Sequence, residues 1–218
     1  GQPHPNIVLI PNGVKITDFA SLPPKGLFRQ TFGIAEDQKI VLFMSRLNAK
    51  KGLDLLLPAF QQYAEKHANA VLVLAGSDDG YGQTTRQFID RHQLSDRIKP
   101  VGMLTGDIKK AALADADVFT LPSYSEGFSM ACLEAMAAGI PALVSDRVGF
   151  AEAIRHYDAA ELVDLTVDNV HRGLERLLGN DQRRTEIRQN AHRLVTEQYD
   201  IDRLSRRLLN EYELIICP

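Results

Sequence analysis

Residues 40–76 read IVLFMSRLNAKKGLDLLLPAFQQYAEKHANAVLVLAG. An apolar run at 40–44 is followed by a helical pattern at 52–67 and a second apolar run at 70–75. Short continuous apolar runs on either side of a helix describe parallel strands buried on both faces. The pattern recurs along the chain. Further strands are predicted at 98–103, 117–121, 141–145 and about 160–165, and further helices at 82–93, 106–115, 129–138, 149–156 and 167–178. The expected fold is α/β, a doubly wound Rossmann-like parallel sheet of about six strands with helices on both faces.

The two ends read differently. Pro3, His4, Pro5, Pro11, Asn12-Gly13, Pro23 and Pro24 make residues 1–25 a turn-rich lead-in or linker. Past residue 179, two helices rich in Arg and Gln are predicted at 181–198 and 200–214. The expected division is a lead-in over 1–25, a ligand-binding sheet domain over 26–198, and a terminal helix over 199–218 that could cross onto something outside the chain. Sheets of this kind often face a partner domain across the ligand cleft. Nothing in these 218 residues supplies one, so a fragment is expected.

Composition narrows the function classes. With 25 basic and 28 acidic residues the net charge is −3, and no long run has one sign. Charge therefore offers no reason to expect nucleic acid or an acidic membrane as the main partner. Arg203, Arg206 and Arg207 read as the solvated face of a helix. Cys132 and Cys217 are too few for a disulfide scaffold, and Cys132 falls on the apolar side of its helix as a buried thiol. No signal-peptide pattern is visible and no apolar run approaches the ~20 residues of a membrane span. A reducing cytosol is the expected compartment.

Chemistry concentrates in two stretches. Residues 126–141 read EGFSMACLEAMAAGIP, with Glu126 and Glu134 eight positions apart across a turn into a helix. A helix start offers free N–H groups and a positive dipole end, which suit phosphate. Ionised carboxylates only accept hydrogen bonds, so they suit hydroxyl groups. A phosphate-binding helix start flanked by two such acceptors describes a nucleotide-sugar site. Glu134 sits in an otherwise apolar helix and needs a partner there. Residues 45–52, SRLNAKKG, follow the first strand. Ligands of open α/β sheets bind at the carboxyl ends of strands. The guanidinium of Arg46 and the ammonium of Lys51 match a diphosphate.

Other motifs carry less. Asp115-Ala116-Asp117 has the Asp-x-Asp form of a metal site but precedes a strand, at the wrong end for the cleft; a helix-end turn is expected. Asp78-Asp79-Gly80 reads as a solvated turn. The six histidines lack metal-ligand spacing. There is no GxGxxG after the first strand, no GxxxxGK[ST] and no GxSxG.

In order along the chain, Pro11-Asn12-Gly13-Val14 with Phe19, SRLNAKKG (45–52), LVLAG (72–76), VGML (101–104) and EGFSMACLEAMAAGIPAL (126–143) resemble the C-terminal, donor-binding domain of family 4 (group 1) retaining glycosyltransferases of GT-B fold. The resemblance covers about residues 8–215. It implies that Arg46 and Lys51 hold the donor diphosphate and stabilise it as a leaving group, and that Glu126 contacts the donor sugar. The backbone of Phe128, Ser129 and Met130 would meet sugar or phosphate, Glu134 the ribose hydroxyls, and Met103 and Leu104 the base. It also implies a nucleotide-diphosphate-sugar donor (UDP-sugar or GDP-sugar), no metal or other cofactor, and an N-terminal acceptor domain through which alone a membrane would be met. The chain departs from the family's usual pattern at Ser129, where Gly is common, at Lys15, and at Gly149-Phe150 in place of Gly-Gly. On this reading the domain transfers little by itself. A non-catalytic scaffold or regulatory module and a sugar-nucleotide epimerase are the alternatives.

Overall fold

The structure, a computed structural model, describes residues 7–216; Pro3, His4, Pro5 and Cys217 lie outside the described residues. Six strands form one parallel sheet: β1 (Lys39–Met44), β2 (Ala70–Ala75), β3 (Ile98–Gly102), β4 (Val118–Leu121), β5 (Ala142–Ser145) and β6 (Glu161–Val163). Their spatial order is β3-β2-β1-β4-β5-β6. Every residue of β2, β4 and β5 is buried, whereas β3 and β6 at the edges alternate. This explains why the central strands read as continuous apolar runs and the edges less clearly.

Nine helices accompany the sheet among the described residues: α1 (Leu27–Phe32), α2 (Leu53–Lys66), α3 (Gly82–Arg91), α4 (Gly106–Asp115), α5 (Met130–Ala137), α6 (Ala151–Tyr157), α7 (Val167–Gly179), α8 (Asp181–Leu194) and α9 (Ile201–Ile216). α2 packs against α7 and α3, while α4 meets α1, and α5 and α6 meet α8. Right-handed crossovers put these two groups on opposite faces of the sheet. The core lies between them, with Phe28, Phe43, Phe60 and Phe119 fully buried.

Two features depart from the sequence reading. α1 was not expected, because its six residues are too few to show a period. It is held from outside: the buried Asp115 carboxylate accepts hydrogen bonds from the N–H groups of Gly26 (2.6 Å) and Arg29 (3.1 Å). Asp117 accepts from the Ile40 N–H at 2.8 Å and lies 3.6 Å from the Arg29 guanidinium. The Asp-x-Asp motif is thus a docking device for α1. The second departure is at 195–199, where the helix expected to run to 198 becomes a π turn (Val195–Tyr199) before α9. There Val14 of the lead-in donates to the Tyr199 carbonyl at 2.8 Å and accepts from the Ile201 N–H at 3.0 Å. Arg203, Arg206 and Arg207 are exposed, as expected.

The β1–α2 and β4–α5 connections touch at Gly52. Its φ is +72°, and a Cβ placed there would stand 1.8 Å from the Pro122 carbonyl oxygen. Gly52→Ala is therefore expected to destabilise the fold by roughly 3 kcal/mol through strain and overlap, read as a lowered urea midpoint. Cys132 is wholly buried, and burial together with the Glu126 charge pushes its thiol far above its ordinary value. Iodoacetamide at pH 8 should leave Cys132 unlabelled in the native protein and label it after denaturation, as peptide mapping would report. Labelling of the native protein at Cys132 would contradict its placement.

Candidate functional site

The strand order reverses between β1 and β4, since β1 continues to β2 on one side and β4 to β5 on the other. A crevice outside the carboxyl ends of these two strands is where such sheets bind ligands. The loops that open onto it are 45–52 and 122–129, which carry Arg46, Lys51, Glu126, Phe128 and Ser129. They are tied to each other. The Ser123 hydroxyl donates to the Lys50 carbonyl (2.8 Å), as does the Tyr124 N–H (2.9 Å). The Ser145 hydroxyl donates to the Ser123 carbonyl at 2.5 Å.

Glu126 is fixed by its backbone as well. Its N–H donates to the Arg147 carbonyl (3.2 Å) and its carbonyl accepts from the Gly149 N–H (2.8 Å), a short parallel bridge to the β5–α6 loop. A Cβ at Gly149 would lie 1.8 Å from the Gly127 oxygen, so this approach needs glycine. The Glu126 carboxylate pairs with the Lys51 ammonium, both side chains being about one-seventh exposed (15% and 13%). Sequence reading assigned these two residues to different parts of a ligand; the structure pairs them with each other.

α5 begins beside them. Ser129 is its N-cap, accepting from the Cys132 N–H at 3.2 Å. The N–H groups of Met130 and Ala131 have no acceptor within the helix. The Phe128 ring packs against Phe150 (centroids 5.3 Å apart) and Tyr199 (5.7 Å), which anchors the approach to the helix start. Met130 lines a groove with Ile10, Pro11 and Leu208.

Beside the crevice is a pocket of about 200 Å³ whose lining includes Met44, Arg46, Met103, Leu104, Lys109 and Glu134. Met103 is exposed and Leu104 buried. The partner that Glu134 required is Lys109, whose ammonium lies 2.9 Å from Oε1. Sequence reading did not single out Lys109, because 25 positions and two different helices, α4 and α5, separate it from Glu134.

Asp79 corrects a second expectation. It is half-buried and accepts from Arg46 Nη1 at 2.7 Å and from the Asn48 amide at 3.2 Å, so it is a partner of the basic loop. Asp78 does form the expected turn, accepting from the Gly80 and Gly82 N–H groups at 3.1 and 2.8 Å. Tyr124 was also missed. Its hydroxyl donates to Asp54 at 2.7 Å, and that hydrogen bond is the main reason its phenol is pushed up to about 12. Among the described residues no group of three or more His, Cys, Asp or Glu side chains is arranged to hold a metal. No helix among the described residues is long and apolar enough to cross a membrane.

Residues 25–194 match the family of glycosyl transferases group 1. An uncharacterized glycosyltransferase of Methanocaldococcus jannaschii is 34% identical over 97% of this chain and 55% of its own length. The solved glycosyltransferase of Rickettsia africae superposes with a TM-score of 0.86 at 19% identity, over 96% of this chain and 57% of that one. The Anabaena protein HepE, solved in complex with UDP-glucose, superposes at 0.81 and 22% identity, over 94% of this chain and 56% of that one. This chain spans about half the length of the curated relatives it matches. The crevice with its paired cations and carboxylates thus sits in a chain that belongs to the group 1 glycosyl transferases.

Proposed function

We propose that this chain is the donor-binding half of a retaining glycosyltransferase that takes a sugar from a nucleoside diphosphate. The observation that carries the reading is the convergence of Lys51, Glu126 and the start of α5 at the switch point between β1 and β4, beside the pocket lined by Glu134, Met103 and Leu104. Arg46, Lys51 and the Met130 and Ala131 N–H groups take the diphosphate. Glu126 accepts from the sugar hydroxyls and Glu134 from the ribose, and Met103 and Leu104 flank the base. HepE, a fold neighbour, binds UDP-glucose, which favours a uridine donor, with a guanosine donor as the other choice.

The chemistry is electrostatic. As the bond from the anomeric carbon to the diphosphate oxygen breaks, negative charge grows on the leaving diphosphate. Fixed cations and helix N–H groups stabilise that charge more in the transition state than in the ground state. Both cations already have carboxylate partners, Lys51 in Glu126 and Arg46 in Asp79. The diphosphate must therefore compete with two carboxylates for them, and Glu126 is released toward the sugar as Lys51 turns to phosphate. No metal is needed for this. The acceptor, any membrane contact and the remaining catalytic groups belong to an N-terminal half, against which the exposed Leu209, Tyr212 and Leu214 of α9 would pack. The chain alone transfers little sugar, and the cytosol is its compartment.

Lys51 is the more enclosed cation, since the Arg46 side chain is 64% exposed. In the full-length enzyme Lys51→Ala should lower turnover by roughly 10²-fold, and Arg46→Lys by less. Near wild-type rates in both would sink the diphosphate assignment. Calorimetric titration of this chain with UDP, GDP and ADP should give selective binding of one nucleotide, lost in the Arg46→Ala/Lys51→Ala double variant. Binding that survives the double variant would place the nucleotide elsewhere. No binding even by the full-length protein would favour a scaffold.

A further inference from the structure

Lys109 lies in the first turn of α4, the positive end of the helix dipole, where a cation is disfavoured. Lys110 follows it, and only Asp107 offsets them within that turn. A residue that breaks a local preference needs a compensating interaction, and such places tend to be functional. Here the compensation comes from another helix: Lys109 Nζ reaches Glu134 Oε1 at 2.9 Å. Glu134 stands between Leu133 and Ala135, both wholly buried, and its own side chain is 20% exposed on the pocket wall. Among the described residues its Oε2 has no hydrogen-bond partner. Glu134 is also the one carboxylate among the residues that line the pocket.

We propose that Lys109 is a positioning residue for Glu134, fixing one carboxylate oxygen so that the other is presented to the vicinal hydroxyls of a ribonucleotide. The inference rests on the donor-site reading above. A diphosphate held near Arg46 brings negative charge into the same crevice as Glu134, and the two repel. The Lys109 ammonium offsets that repulsion. It also restrains a side chain that would otherwise lose rotamer freedom on binding. Lys109 thereby selects ligands that carry hydroxyls to donate, because only they use the presented oxygen.

The test is a double-mutant cycle by calorimetry on this chain. Wild type, Lys109→Met, Glu134→Gln and the double variant are titrated with the preferred one of UDP, GDP and ADP and with its 2′,3′-dideoxy counterpart. Lys109→Met keeps the apolar stem and removes the charge. It should weaken the ribonucleotide about tenfold, the scale of one hydrogen bond to a charged group. The dideoxy form should change by no more than about twofold, and in the Glu134→Gln background Lys109→Met should have little further effect. Lys109→Arg should restore most of the ribonucleotide affinity. Equal losses for both nucleotides, or a Lys109 effect that persists in Glu134→Gln, would overturn the positioning role in favour of direct attraction to the ligand. Unchanged affinity in Lys109→Met would overturn it outright. Failure of wild type to bind any of these nucleotides, in the full-length protein as well as in this chain, would instead strike at the donor-site reading itself.

Discussion

The close approach of the β1–α2 and β4–α5 loops, with Gly52 pressed on the Pro122 carbonyl, is the constraint on which the site depends. Lys51, next to Gly52 in sequence, pairs with Glu126 across this approach. The bonds from Ser123 and Tyr124 to Lys50 lie in the same seam, and Ser145 braces it from β5. A parallel sheet whose order reverses leaves a crevice at this point because the crossover helices diverge to opposite faces. The loops partly close the crevice, so charged groups come together at the strand ends.

The electrostatics of the site follow from that crowding. Half-buried charges are costly unless paired, and each cation that faces the crevice has a carboxylate: Lys51 with Glu126, Arg46 with Asp79, Lys109 with Glu134. The three pairs differ in exposure. Lys51–Glu126 is the most enclosed, so it is the least screened by solvent. Arg46–Asp79 lies at the rim, where exchange of one anion for another involves little desolvation.

A second linkage runs away from the crevice. Phe128, one residue before the cap of α5, packs on Phe150 and Tyr199. Tyr199 belongs to the π turn, and its carbonyl accepts from Val14 of the lead-in. The start of α5 is therefore joined by packed rings to the two segments at the ends of the chain. Side chains at such contacts occupy discrete arrangements, because close packing resists gradual deformation.

Strand and helix positions were legible in the sequence to within a few residues, since each central strand is buried on both faces and each crossover helix shows its period. That Arg46, Lys51, Glu126 and Ser129 stand on loops at the carboxyl edge of the sheet was legible too, because strand ends and a helix start are local signals. α1 was not, being short and held by a carboxylate on α4 rather than by its own pattern. Nor were the pairings of Glu134 with Lys109 and of Arg46 with Asp79, which join positions 25 and 33 residues apart. The sequence by itself determined the layering of the sheet and which residue types stand at its carboxyl edge, because burial and periodicity are local signals. Only the tertiary structure decided which charge meets which, because that depends on how closely loops from different strands approach one another.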